Sequence, residues 1–180
     1  MVRANQADPG TPELMRRVTG LNIDQKGSVN YFAGTNQRSH AVRNEKVHVL
    51  QRALKMPELF GKVKDGGDVL VVGWGTNRGA IAEAVHFLQD EGLSVGGMCF
   101  RIVYPLPLGL REVFSKFKTV VTVESAYGDE YKNPPLSMLL RSETFVDVKP
   151  MLCRATGQPI SPLSIRTKVK ELLEGKLAWK

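Results

Sequence analysis

Asp68-Val69-Leu70-Val71-Val72-Gly73-Trp74-Gly75-Thr76-Asn77-Arg78-Gly79-Ala80-Ile81 is the stretch from which the fold can be read. Asp68–Val72 is a short apolar run with β-branched residues, the pattern of a strand buried on both faces. Gly73 to Gly79 turns the chain. Ile81, Ala84, Val85 and Leu88 then recur at helical spacing, and Gly92 ends the run. Strand, glycine-bearing turn and amphipathic helix together open a βαβ unit.

The same alternation continues downstream. Val95–Phe100 reads as a second strand, and Pro105-Leu106-Pro107 opens a helix with Leu110, Val113, Phe114 and Phe117 on one side. Thr119–Val123 is a third strand, Leu136, Leu139 and Leu140 mark a short helix, and Thr144–Val148 is a fourth strand. Ser161-Pro162 has the form of an N-cap followed by a first-turn proline, and it leads a helix that turns Ile165, Val169, Leu172 and Leu173 inward. Strands alternating with amphipathic helices imply parallel βαβ units. The predicted fold is α/β, a three-layer sandwich on a mainly parallel sheet of at least four strands.

Upstream the texture changes. Met1 to about Thr35 is polar and punctuated by Pro9-Gly10, Gly20, Gly27 and Gly34, so it reads as an irregular arm with one short strand at Val29–Phe32. Ser39–Lys55 is predicted as a helix with a Val47, Leu50, Leu54 stripe, broken by Pro57. Lys62–Gly67 is a charged, glycine-bearing connector. The expected division is therefore 1–64, an arm and helix resting on other subunits, and 65–180, the α/β domain.

The 180 residues are 42% apolar and 24% charged, which fits a globular chain and excludes collagen-like, disordered or disulfide-scaffold classes. No apolar run approaches the ~20 residues needed to span a bilayer. Met1–Asp8 is polar and no apolar stretch of secretory type follows, and the two cysteines, Cys99 and Cys153, make no disulfide framework. The expected location is the cytoplasm, with no membrane association. The net charge of +7 is uneven: residues 1–67 carry 11 Lys/Arg against 6 Asp/Glu, and the rest 14 against 12. Arg16-Arg17, Arg38, Arg43 and Lys46 form a scattered basic face of the kind that solvent usually covers. No aromatic pattern of an RNA-binding sheet accompanies it, so nucleic acid is not the expected partner.

Gly73-x-Gly75-x3-Gly79 offers two readings. A dinucleotide fold uses such glycines to bring backbone N–H groups to a pyrophosphate, and Arg101 would then suit a 2′-phosphate. The spacing is one residue longer than the usual fingerprint, and no acidic residue ends the second strand, so a tight structural turn is preferred. An independent NADP-binding module stays open as the alternative, and a structural interaction protein of unrelated origin as a third reading.

Metal chemistry has little support: His40, His48 and His86 are scattered, and no C-x-x-C is present for an iron–sulfur cluster. Glu124 follows the third strand, at the end of the sheet where α/β proteins place ligands, with Ser125, Tyr127 and Asp129 near it. The simpler reading is a loop whose polar groups cap the next helix. Cys153 beside Arg154 is read as a structural cysteine rather than a reactive one.

Several segments together resemble one family. Arg17-Val18-Thr19-Gly20-Leu21-x-x-Asp24-x-x-Gly27 resembles the T-G-L-x-H-D-x-x-G stretch in the alpha subunit of 2-oxoacid:ferredoxin oxidoreductases. The helix carrying His40, Arg43 and Lys46 is similar to the segment that follows it there. Asp68–Gly75 with Gly79-Ala80-Ile81, Arg101, Tyr104-Pro105-Leu106-Pro107, Glu124, Leu139-Leu140-Arg141, Val146-Asp147-Val148 and Gly157-Gln158-Pro159-Ile160 recur in the same order. The resemblance runs from about Asp8 to Ile165.

It implies a transketolase C-terminal-like domain within an oligomeric enzyme that oxidatively decarboxylates 2-oxoacids to acyl-CoA. Thiamine diphosphate, iron–sulfur clusters and coenzyme A would belong to the whole complex, none of them held by this segment alone. The implied partners are a thiamine-binding beta subunit, other subunits and, indirectly, ferredoxin. The pyrimidine-binding domain expected ahead of this segment is absent from these 180 residues, so the chain is not expected to turn over alone.

The sequence departs from the family at Asn22-Ile23, at Ser125-Ala126-Tyr127-Gly128-Asp129 with the loop through Asn133-Pro134-Pro135, and at Cys153-Arg154. No catalytic, cofactor-binding or metal-binding residue is carried over. Arg101 and Glu124 are the candidates for subunit or substrate-channel contacts.

Overall fold

The computed structural model describes residues 8, 10–12, 18–24, 26–128 and 134–177. The chain divides into two compact units, one ending at Ala53 and one starting at Leu54.

In the first unit an isolated bridge joins Ile23 to Val29, and Asp24 Oδ1 accepts the N–H groups of Lys26 and Ser28. The short strand expected at Val29–Phe32 does not form. Asn30 Oδ1 instead accepts the Phe32 N–H at 2.9 Å, and helix α1 begins at Ala33 and runs to Ala53. A local Asx-type turn thus wins over β-branched propensity. Asn22 bonds to both Asn36 and Arg43, tying the arm to α1. None of the 21 residues of α1 is buried.

The second unit holds a five-stranded sheet in the order β1-β3-β2-β4-β5, with β1 Leu59–Phe60, β2 Gly67–Trp74, β3 Val95–Phe100, β4 Phe117–Glu124 and β5 Val148–Cys153. β2 to β5 are mutually parallel, as expected, while the unforeseen β1 adds an antiparallel edge against β3. Two residues are too short a run to leave a period in the sequence.

Side chains along β2 alternate between faces. Val69 and Val71 meet Ile81, Val85 and Leu88 of α2 (Asn77–Asp90) and Ile165 and Val169 of α5 (Pro162–Leu173). Leu70 and Val72 meet Leu110 and Phe114 of α3 (Leu110–Phe114) and Leu136 and Leu140 of α4 (Pro135–Thr144). The three-layer α/β sandwich is therefore present, and the central strand is buried on both faces from Val69 to Gly73.

Two predicted elements are corrected. The third helix stops at Phe114, since Ser115 returns its hydroxyl to the Arg111 carbonyl at 2.7 Å and Phe117 already pairs with Gly67 as the start of β4. The fourth strand lies at Val148–Cys153 rather than Thr144–Val148. Thr144 ends α4, and Phe145 caps it in the left-handed region at φ 56°. Pro150 is tolerated because β5 is an edge strand whose register shifts against Thr122/Val123. At the last helix Ser161 Oγ accepts the Ser164 N–H at 3.1 Å, the N-cap read from the sequence.

Candidate functional site

The carboxyl ends of the parallel strands carry the candidate site. α2 leads from β2 to β3 on one side, and β4 pairs with β2 on the other, so the topological switch point lies between β2 and β4. There Asn77, almost wholly buried at the first turn of α2, bridges the two strand ends. Its Nδ2 donates to the Val123 carbonyl at 3.4 Å, and its Oδ1 accepts the Ser125 hydroxyl at 2.9 Å. A recess of about 630 Å³ opens beside this pair, lined by Thr76, Glu83, Arg154 and Gln158 together with Ala80 and Ile160 among others.

The glycines that suggested a nucleotide site have local explanations. A Cβ on Gly73 would stand 2.4 Å from Ile81 Cδ1 and 3.1 Å from the Val123 carbonyl oxygen, so only glycine lets α2 lie this close to the sheet. Gly75 sits at φ +60°, and its N–H donates to the Phe100 carbonyl at 3.1 Å, locking the end of β2 to the end of β3. Gly79 has open space around it and performs neither role. The first two glycines serve turning and packing, and the space between the strand ends is spanned by Asn77 and Ser125.

Glu124 is fully buried at the end of β4. Thr122 Oγ1 donates to its Oε1 at 2.8 Å, Ser137 N–H to the same oxygen at 3.1 Å, and Leu136 N–H to Oε2 at 2.7 Å. Pro134 and Pro135 at the head of α4 offer no side-chain cap, so a carboxylate reaching over from β4 satisfies the free N–H groups and meets the positive end of the helix. The arrangement is the cap foreseen as the simpler reading. Through it Glu124 fixes the path of the β4–α4 loop.

Arg101 stands one residue beyond β3, exposed, on a different recess of about 350 Å³. β2 lies between β3 and β4, so Arg101 and Glu124 do not converge on one site. The Arg101 recess also holds Arg78, which sequence reasoning passed over although it belongs to the decisive turn. The Arg78 guanidinium lies 4.8 Å from the Phe60 ring centroid and 3.4 Å from Glu58 Oε2.

Both cysteines are free thiols. Burial pushes Cys99 up to about 11, only partly opposed by the charge of Arg78. Cys153 is also raised, by burial first and then by the charge of Glu124, and its Sγ lies 3.0 Å from the Ala126 carbonyl oxygen it donates to. Arg154 does not activate it. His40 and His48 contact Arg43 and Asn44 respectively, and His86 pairs with Asp90 on the surface of α2. Among the described residues no group of His, Cys, Asp and Glu side chains is placed to hold a metal ion, and no helix is long and apolar enough to cross a membrane. Arg16, Arg17, Asp129 and Asn133 lie outside the described residues.

No family model matches the chain. It is 28% identical over 174 residues to the 2-oxoglutarate oxidoreductase subunit KorA of Mycobacterium tuberculosis (strain ATCC 25618 / H37Rv), a match covering 96% of this chain and 25% of that protein. It is 26% identical over 161 residues to the alpha subunit of 2-oxoacid:ferredoxin oxidoreductase 2 of Aeropyrum pernix, covering 87% of this chain and 24% of that one. Among solved structures, the 2-oxoglutarate:ferredoxin oxidoreductase from Magnetococcus marinus, with 2-oxoglutarate, coenzyme A and succinyl-CoA bound, matches with a TM-score of 0.79 and 29% identity. That match covers 92% of this chain and 28% of the other. The chain thus spans about a quarter of the length of the curated relatives it matches. Over nearly all of its own length the chain is similar in sequence to alpha subunits of 2-oxoacid:ferredoxin oxidoreductases, and its α/β fold is similar to that of the Magnetococcus marinus enzyme.

Proposed function

We propose that this chain acts as one portion of the alpha subunit of a thiamine diphosphate-dependent 2-oxoacid:ferredoxin oxidoreductase, and that it supports assembly while other parts carry the chemistry. The likeness to the Magnetococcus marinus enzyme, at a TM-score of 0.79 over 92% of the chain, is the observation that carries this reading. The reaction implied is oxidative decarboxylation of a 2-oxoacid to acyl-CoA, with ferredoxin as electron acceptor.

In this reading the described residues supply positioning. Glu124 holds the β4–α4 loop and Asn77 holds the β2–α2 turn, while exposed Arg101 is the residue offered to a neighbouring subunit or a substrate channel. Two thiols, Cys99 buried within β3 and Cys153 half-buried at the end of β5, do not make the four-thiolate donor set of an iron–sulfur cluster. In this reading such clusters, the thiamine diphosphate and coenzyme A are assigned to the other parts of the complex. Of residues 1–64, the part up to Ala53, which forms the first unit, is assigned to packing on those subunits, foremost the thiamine-binding beta subunit. Alpha-helix α1, with no buried residue, supports that assignment.

The test is direct. The purified 180-residue chain, given 2-oxoglutarate, coenzyme A and an oxidised viologen dye, is expected to show no dye reduction. It is expected to co-purify with a thiamine-binding beta subunit when the two are produced together. Substrate-dependent turnover by the chain alone would overturn the proposal.

A further inference from the structure

The recess at the end of β3 carries more positive charge than its own residues neutralise. Lys55, Arg78 and Arg101 all line it, against a single carboxylate, Glu58. Glu58 is engaged with Arg78, while Lys55 and Arg101 form no ion pair with any described residue. Two positive charges thus remain uncompensated within one small concavity, and like charges gathered this way favour an anion that meets both.

The walls are of opposite character. Phe60 and Ile102 contribute apolar surface, and Ile102 is 42% exposed where a buried position would be expected of it. At about 350 Å³ the space falls at the lower end of the range occupied by small-molecule sites, roughly 300–1,000 Å³. Its place, at the carboxyl end of a parallel strand, is where open α/β sheets receive ligands. Arg78 is held in advance by its stacking over Phe60, so its planar fork needs little further ordering to meet an oxyanion.

We propose that this recess binds a small organic phosphate monoester, its dianionic phosphate held by Lys55, Arg78 and Arg101 and its apolar or planar body resting on Phe60 and Ile102. The two unmatched charges equal those of a phosphate monoester, and the arginine fork suits its tetrahedral oxygens. This inference is independent of the subunit assignment above, because it concerns binding by the 180-residue chain alone.

Phenyl phosphate is the probe, titrated into the ¹⁵N-labelled full chain and followed by amide shifts in NMR spectra. Saturable shifts centred on Arg78, Phe100, Arg101 and Ile102 are expected, with weaker binding of both benzoate and inorganic phosphate. Arg101→Glu is expected to weaken phenyl phosphate by about tenfold or more, since it places like charge against the ligand. Glu58→Gln, which removes the competing carboxylate, is expected to tighten it. Both side chains are exposed, so far-UV circular dichroism should match that of the parent chain. Absence of saturable shifts at those amides would overturn the proposal. So would unchanged affinity in the two variants, or equally tight binding of benzoate or inorganic phosphate.

Discussion

Helix α1 is 21 residues long and buries none of them, whereas α2 is 14 residues long and buries Asn77, Ile81, Ala84, Val85 and Leu88. In α2 the apolar side chains meet β2, β3 and α5, so its order is explained inside the chain. In the arm and helix of the first unit Leu21, Tyr31, Phe32, Val49 and Leu50 are exposed instead. Most helical stability in proteins comes from tertiary packing of an apolar face. One chain thus contains a helix ordered by its core and a helix that leaves its apolar residues exposed. The proposed assembly role supplies a surface for them.

Breaking the core should have the largest effect. Phe114, fully buried under the sheet, is expected to cost about 3–5 kcal/mol on replacement by alanine, seen as a lowered urea midpoint. Next comes Glu124→Gln, which keeps the shape but replaces a charged acceptor by an amide facing the Leu136 and Ser137 N–H groups. A loss of about 1.5–3 kcal/mol is expected in the same measurement.

Gly73→Ala should cost about 1–3 kcal/mol, because the added methyl forces Ile81 away from its place on the sheet. At the small end, Leu50→Ala on α1 is expected to change the stability of the chain alone by less than about 0.5 kcal/mol. The same substitution should weaken co-purification with the beta subunit. A large stability loss from Leu50→Ala would erase the distinction between the two helices.

How much of this was legible in the sequence follows the same division. The β2–α2–β3 unit was readable because burial imposes a pattern: β2 is apolar on both faces, and α2 repeats every three to four residues. The start of α1 was not, because a helix that buries nothing leaves no apolar period to mark where it begins. Asn30 and the turn at Asp24 set it instead. The fourth parallel strand was displaced because Thr144-Phe145-Val146 has the composition of a strand. Phe145 there is a left-handed helix cap, and Pro150 argued against the segment that does pair.

At the site, capping of the next helix is the simpler reading that the place of Glu124 after the third strand gives, and its hydrogen bonds to Leu136 and Ser137 are of that kind. The role of Arg78 was not legible, because its partners Phe60 and Glu58 come from a two-residue edge strand and the loop before it. Only the folded sheet brings those segments to the end of β3.

Amide hydrogen exchange of α1, in the chain alone and in its complex with a thiamine-binding beta subunit, tests the central claim most directly. The account predicts that amides across Ala33–Ala53 exchange quickly in the chain alone and become strongly protected in the complex, while β2 and β4 are protected in both. Exchange of α1 that is already as slow as that of β2 in the chain alone, or that does not change on complex formation, would contradict it.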